Sequence, residues 1–428
     1  MITECPACPE MDLPGVPKQL LEELREAAVS VGVQRLALVG GVVRDQLLHQ
    51  RFGRNWAGVS DLDWVVEGDA AALAAALAQR CGDDRLTAVQ EYGMFGTVAL
   101  QLDGISLDLA TARQENYPAP AENPVVQAGT LVADLVRRDF TINAMAFDLV
   151  AGELIDHHNG LEDLALGQLR FLHGCSVQDD PTRVIRAARY AARLGFQLAA
   201  DSREQIRSTV GQWPWAWAHG DAPLLSPPAL GTRLRMELER LLDREPWPPA
   251  LDLLEQWQAM PLLDLQLQND PRRLQRLRWA RRLGLPLMPA FLLGAVDPVA
   301  VARRLQIPGK QQQWLQQCAA IRDWLSKTPP PFKASPSIWS TALEQQGWQP
   351  EAVALVVTLR PQQWKPLLRW WGRWRRIHAP QTARDLIAAG WQPGPEIGEE
   401  LRRQRRAAQD LTQVRLQHCR SEPMGRAE

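Results

Sequence analysis

Strand-forming segments stop near residue 160 of this 428-residue chain, and only helix-forming ones follow. That switch limits the architecture to a mixed head of about 155 residues and an all-helical remainder, an α+β arrangement. In the head, "KQLLEELREAAVSVG" carries apolar residues at helical spacing and ends at Gly32. "RLALVGG" then reads as a strand broken at Gly40 and Gly41, and "VVRDQLLHQ" resumes helical spacing. "SDLDWVVEG" reads as a second strand and "DAAALAAALAQRC" as an alanine-rich helix. "GTVALQL" and "ISLDLATAR" read as two strands that "DG" at 103–104 joins in a tight hairpin. The proline-rich "ENYPAPAENP" (115–124) is expected to be a loop. Past residue 160, "PTRVIRAARYAARLGF", "GTRLRMELERLLDR", "PALDLLEQWQ" and "RRLQRLRWARRLG" are amphipathic helices separated by proline or glycine. "SKTPPPFKASPS" (326–337) marks a later boundary, and no regular repeat is visible.

The length calls for two to four compact units, given domains of roughly 100–200 residues. A composition of 46% hydrophobic and 23% charged residues is that of a soluble globular protein, and no apolar run approaches the ~20 residues a membrane helix needs. The opening "MITECPACPEMDLPGVPK" lacks the basic-then-apolar order of a secretory signal, so a cytoplasmic location without membrane partners is expected. Six scattered cysteines make no disulfide framework, and Cys5 with Cys8 supplies only half of a zinc site. The net charge of −1 conceals an asymmetry, because arginines gather in "RRLQRLRWARR", "RWWGRWRR" and "RRQRR" of the helical part, as a local phosphate-tracking surface requires. Of 17 tryptophans, two precede residue 200; at helical spacing they are expected in the core, with "RWWGRWRR" the best candidate for base stacking.

Two acidic residues interrupt the second strand. Residues two apart on a strand share a face, so Asp61 and Asp63 project together while Leu62 points the other way. Side-by-side carboxylates repel unless a divalent cation meets them, and Mg2+ favours one or two carboxylates plus substrate phosphates. A third, Asp108, is expected to reach the same place from a neighbouring strand. A lone "SDLD" is also compatible with a simple strand start. The Gly-Gly turn of "LVGGVVRD" offers bare amides at a helix start where phosphate can sit, although no Walker loop is present.

Taken in order, "LVGGVVRDQLL", "SDLDWVV", "RRDFTINAMAFDL" and "DDPTRVIRAARYAARLGF" resemble the class II tRNA nucleotidyltransferase and bacterial poly(A) polymerase family, whose head is polymerase-beta-like. The resemblance covers roughly residues 36 to 265. It implies a leader and first helix (1–30), a catalytic head (31–155), and helical neck (156–222), body (223–328) and tail (329–428) segments, the last two for RNA. It implies that Asp61 and Asp63 hold two magnesium ions, with Asp108 beside them, and that Gly40, Gly41 and Arg44 bind triphosphate while Asp45 orients Arg44. In "RRDFTIN", Arg138 would add charge near phosphate, Asp139 would accept from the ribose 2′-hydroxyl and Asn143 would order the turn.

The resemblance also implies that Asp180 and Arg183 of "DDPTR" template the base. A carboxylate accepts from cytosine N4 or adenine N6 and arginine donates to ring N3 or N1, whereas guanine and uracil reverse that order. Asp179 stands where the family has glutamate. Pro181 also makes Asp180 a natural N-cap, the competing use of its carboxylate. Arg186 and Arg189 would brace the template or carry RNA phosphate, and Arg233 with Glu237 is either an i,i+4 pair or a contact. "DHHNG" (156–160) is read as a turn and not as a phosphoesterase motif. The expected activity is addition of C, A or both to the 3′ end of tRNA from CTP and ATP, with no stable protein partner. Poly(A) synthesis is the runner-up, and a catalytically dead RNA-binding descendant would need losses that Asp61, Asp63, Asp139 and Arg183 do not show.

Overall fold

The computed structural model describes residues 13–421 apart from 57, 60, 83, 93–95, 214–225 and 228, with the backbone alone for 413–421. Cys5 and Cys8 lie outside the described residues. Among the described residues the chain divides into two compact units, one up to residue 262 and one from residue 263.

In the first unit α1 (Lys18–Ser30) precedes β1 (Arg35–Val39), α2 (Gly41–Phe52), β2 (Asp61–Glu67), α3 (Ala70–Cys81), β3 (Leu86–Tyr92), β4 (Thr97–Leu102) and β5 (Ile105–Thr111). β6 (Arg113–Asn116), β7 (Val125–Ala128), α4 (Leu131–Val136), β8 (Ala146–Asp148) and β9 (Glu153–Ile155) complete the head. Seven strands form one mixed sheet in the order β3-β4-β5-β2-β1-β8-β9, in which only the β2/β5 pair is parallel. The β4–β5 hairpin turns at Asp103 (φ 52°) and Gly104 (φ 79°), the two positive φ values of a type I′ turn. Asp69 caps α3 by accepting from the Ala71 and Ala72 amides at 2.9 and 3.2 Å. The core behind β1 and β2 joins Val39 and Val65 to Leu131 and Leu135 of α4 and to Ile155 of β9.

Part of this head departs from the sequence expectation. β6 pairs with β7 as a separate two-stranded hairpin, so the segment expected to be loop from 115 begins as strand. β3 exposes nearly every side chain and β8 and β9 span three residues each, so none shows the alternation that marks a half-buried strand. A further two-residue pair, β10 (Gln168–Leu169) with β11 (Gln197–Leu198), lies beyond residue 160. Around it pack α5 (Gly160–Leu166), α6 (Ser176–Asp179), α7 (Thr182–Leu194), α8 (Ala200–Gly211), α9 (Leu230–Arg244) and α10 (Trp247–Gln256).

The second unit is helical: α11 (Arg273–Arg282), α12 (Leu287–Leu292), α13 (Pro298–Arg304), α14 (Gly309–Lys327), α15 (Pro336–Gln345), α16 (Pro350–Thr358), α17 (Trp364–Gly372), α18 (Ala383–Ala388) and α19 (Pro395–Ser421). Its centre is α16, buried from Ala352 to Thr358 and packed against α11, α14 and α17. The start signals are those the sequence shows: proline in the first turn of α13, α15 and α16, an Asp297 cap, and a Thr382/Asp385 capping box. Trp370 and Trp374 of "RWWGRWRR" are buried, so two of the three indoles proposed for base stacking belong to the core. No helix among the described residues is long and apolar enough to cross a membrane.

Candidate active site

β2 alternates as its sequence demands: Asp61 and Asp63 face outward and Leu62 is fully buried. Parallel pairing sets Asp63 opposite Asp108 of β5, which brings the third carboxylate to the same face. Burial pushes the Asp63 carboxyl up, Asp108 and Asp61 push it further, and Arg138 opposes them. Asp108 is also raised, by burial and then by Asp61. A face on which carboxylates destabilise one another's charge calls for a cation. Among the described residues no three His, Cys, Asp or Glu side chains close into a ready-made metal cage. The all-oxygen donor set left open on one side nonetheless fits a hard ion that keeps water or substrate oxygens, as magnesium does.

The glycine turn lies against this face. Gly40, at φ 78°, begins α2, and a Cβ placed there would meet Arg138 Nη1 at 3.4 Å and Asp63 Oδ2 at 3.8 Å. Only glycine combines that left-handed backbone with so close an approach. Gly40, Gly41, Asp63, Arg138, Asp139, Asn143, Asp180, Arg183 and Arg186 line a single cavity of about 340 Å³, together with Glu115, Tyr117, Arg137 and Tyr190. The strands of the head and the first turns of α7 thus share one pocket.

Inside it, Asp180 and Arg183 are only partly engaged. Asp180 Oδ1 accepts from the Thr182 amide at 3.2 Å, the Thr182 hydroxyl at 2.8 Å and Arg233 Nη1 at 3.3 Å. The capping use of Asp180 is therefore real but occupies one oxygen, and among the described residues Oδ2 takes no hydrogen bond. Arg183 is buried, donates through Nη2 to the Arg137 carbonyl at 2.6 Å, and has no partner for Nη1. One free acceptor and one free donor thus stand three residues apart at the start of α7. Asp179 does not line the cavity; its Oδ2 lies 3.9 Å from His173 Nδ1.

Two expected ligand contacts are replaced by internal ones. Arg44, expected at phosphate, is 3% exposed and donates to Asp45 at 2.8 and 2.9 Å and to Asn143 Oδ1 at 2.7 Å, with its guanidinium 5.1 Å above the Tyr190 ring. Asp139, expected at the ribose, is 8% exposed. Its Oδ1 accepts from the Phe140 amide and Asn143 Nδ2, both at 2.9 Å, and its Oδ2 from Arg186 Nε and Nη2 at 2.9 and 2.6 Å. A carboxylate has about four acceptor sites, so no place is left for a hydroxyl. Despite full burial, Arg186 and Asn143 hold the Asp139 carboxyl below its ordinary range, and Asp139 with Tyr190 and Glu237 raises Arg186. Asn143 orders the turn by joining Asp139 to Arg44.

Arg233 and Glu237 do not pair with each other. Arg233 reaches Asp180 and the Ala121 carbonyl, while Glu237 accepts from Arg186, Arg189 and Arg240. Sequence reasoning missed Tyr190, whose ring lies under Arg44, Arg186 and Arg193, and also Tyr117, whose phenol donates to Glu115 at 3.2 Å and is pushed up to about 12 by burial and then by Glu115. Arginines four before and three after an aromatic on one helix could have pointed to Tyr190; nothing in the spacing marks Tyr117.

A glycine turn entering a helix, outward carboxylates on the next strand and a helical neck closing the same cavity define a nucleotidyltransferase with a polymerase-beta-like head. Residues 36–170 match the model of the Poly A polymerase head domain. An A-adding tRNA nucleotidyltransferase of Aquifex aeolicus is 36% identical over 252 residues, 58% of this chain but 28% of that protein's length. A CC-adding tRNA nucleotidyltransferase of Deinococcus radiodurans is 33% identical over 377 residues, 86% of this chain and 82% of the relative. The solved structure of a tRNA-processing enzyme in its apo form I is 26% identical, with a TM-score of 0.63 over 93% of this chain and all of the other. The chain belongs to the tRNA nucleotidyltransferase family.

Proposed function

We propose that this chain adds C, A or both to the 3′ end of tRNA from CTP and ATP, releasing pyrophosphate in the cytoplasm. One observation carries this reading: Asp180, whose Oδ2 is an unoccupied acceptor, and Arg183, whose buried Nη1 has no partner, line the same cavity as Asp63 and the glycine turn. Cytosine presents a donor at N4 beside an acceptor at N3, and adenine does the same at N6 and N1. Guanine and uracil would leave both protein groups unpaired in a buried place, at about 1–3 kcal/mol each. A protein surface that reads the incoming base needs no nucleic-acid template.

The carboxylates and the turn serve the phosphates. Asp61 and Asp63, with Asp108 beside them, would hold magnesium, which when bound stabilises charge on the reacting and leaving oxygens. The amides that begin α2 at Gly40 and Gly41, with the adjacent Arg138 guanidinium, would hold the triphosphate tail. Arg44 and Asp139 act from behind: Arg44 fixes Asn143, Asn143 fixes Asp139, and Asp139 fixes Arg186 on the helix that carries Arg183. The ribose is left to other groups of the cavity.

The test uses purified protein, radiolabelled CTP or ATP, and tRNAs ending before CCA, after C or after CC. The proposal expects one to three additions and then a stop, with UTP and GTP refused. Long adenosine tails on unrelated RNA would make the chain a poly(A) polymerase, and no incorporation at all would make it an RNA-binding descendant.

A further inference from the structure

The second unit contains a cavity of about 340 Å³ lined by Arg272, Arg276, Arg322 and Arg360 against Leu293 and Thr358. Arg276 is structural: it donates to Asp270 at the cavity edge and to the Ala290 and Phe291 carbonyls, and Gly294 leaves the space for that pair, because a Cβ there would collide with both partners. The other three differ. Arg272, Arg322 and Arg360 are exposed, come from the residue that precedes α11, from α14 and from the turn after α16, and among the described residues none is ion-paired. Three exposed guanidiniums line one cavity while the Asp270 carboxylate is engaged by Arg276, so their mutual repulsion favours an anion there.

Arg360 carries a second sign. It follows the last residues of α16 at φ 51°, the left-handed position that ends many helices and that glycine occupies at least cost. A bulky side chain there is held against its backbone preference, which points from strain to use. Its guanidinium lies 4.7 Å above the Trp364 ring, and Trp364 in turn meets Trp279 edge-on at 5.8 Å. Arg282 lies over Trp279 and Lys365 over Trp364, which extends the basic rim along an aromatic wall.

We propose that Arg272, Arg322 and Arg360 form a phosphate-binding subsite that takes a backbone phosphodiester of the RNA substrate, with the half-buried Trp364 holding the Arg360 guanidinium in place from beneath. The planar fork of arginine matches two oxygens of such a group, and three arginines from separate elements distinguish a held phosphate from a diffuse positive surface. The assignment rests on the tRNA reading above for the identity of the RNA.

The experiment compares wild type with Arg360→Gly, Arg322→Gln and, as a surface control, Lys327→Gln, using tRNA lacking CCA. Arg360→Gly removes the guanidinium while relieving the backbone, so its melting temperature should hold or rise even as binding weakens. Each cavity variant should raise the KM for RNA by about five- to tenfold without raising the KM for CTP, and should lower the salt dependence of RNA binding by about one unit of slope per arginine removed. Lys327→Gln should do neither. Unchanged RNA KM and salt slope in both cavity variants would overturn the subsite. Inorganic phosphate at constant ionic strength should weaken RNA binding to wild type more than to the cavity variants, because it competes for the same arginines; equal weakening of wild type and variants would also overturn the subsite. Failure of wild type to extend tRNA would instead defeat the proposed function, so the two failures are told apart.

Discussion

Asp139 is the residue on which most of the pocket depends, although it offers nothing to a ligand. With both oxygens saturated by Phe140, Asn143 and Arg186, it fixes the helix that carries Arg183, the residue proposed to read the base. Replacing Arg186 by alanine would leave a buried carboxylate unpaired, a loss of about 3–5 kcal/mol that thermal or denaturant unfolding should read. The carboxyl also sets an acid limit. Its pKa is depressed in the folded chain relative to about 3.9 unfolded, so its stabilisation is complete above that value and is lost as pH falls through the lower folded value. Asp139→Asn should therefore be less stable than wild type at pH 7, with the difference shrinking below pH 4; an unchanged difference at low pH would remove Asp139 from this role. At this scale the sequence shows which residues carry charge and hides which charges are already satisfied. Arg44 and Asp139 take internal partners, Asn143 and Arg186, that are 99 and 47 positions away and so invisible to local spacing.

Among the elements, β2 and the turn before α2 were legible, because a β-branched apolar run entered by two carboxylates at i and i+2 and a Gly-Gly break have few other meanings. The β6–β7 hairpin was not. Its strands are four residues each, β6 wholly polar and β7 mostly apolar but largely exposed, and the proline-rich run separates them, so they carry no periodic signal. Yet that hairpin reaches the template: the Ala121 amide donates to the Gln178 carbonyl at 2.9 Å, and Arg233 of α9 donates to both the Ala121 carbonyl and Asp180. Arg233→Ala would release the hairpin loop and Asp180 together. The expected outcome is a several-fold rise in KM for CTP and ATP with greater misincorporation of UTP, measured on tRNA ending before CCA. A change in melting temperature without a change in base selection would make Arg233 merely structural. Gly40→Ala tests the turn in the same assay: the new Cβ would only touch Arg138, so the left-handed strain, about 1–2 kcal/mol, should account for any loss.

For the whole molecule, the switch from mixed to helical structure was readable because strands and helices differ in apolar period, and the structure follows it except for one two-residue strand pair. The division into units at residues 262 and 263 falls between two short helical turns, where the single Pro261 and Asp264 do not stand out from the many other prolines and carboxylates of the helical part. The "TPPPF" segment, which composition makes conspicuous, connects α14 with α15 inside the second unit. Tryptophan was equally hard to assign, since core indoles such as Trp370 and half-exposed ones such as Trp364 differ in their neighbours and not in their spacing.

The central claim is that the outward face of β2 performs nucleotidyl transfer. It is tested most directly by single-turnover incorporation of labelled CMP into tRNA lacking CCA by the Asp63→Asn protein, with folding checked by its melting curve. The account predicts a loss of at least ~10²-fold at an unchanged or higher melting temperature, since the substitution removes a carboxylate raised by its neighbours while disabling charge stabilisation at the reacting phosphate. Incorporation equal to wild type would contradict it.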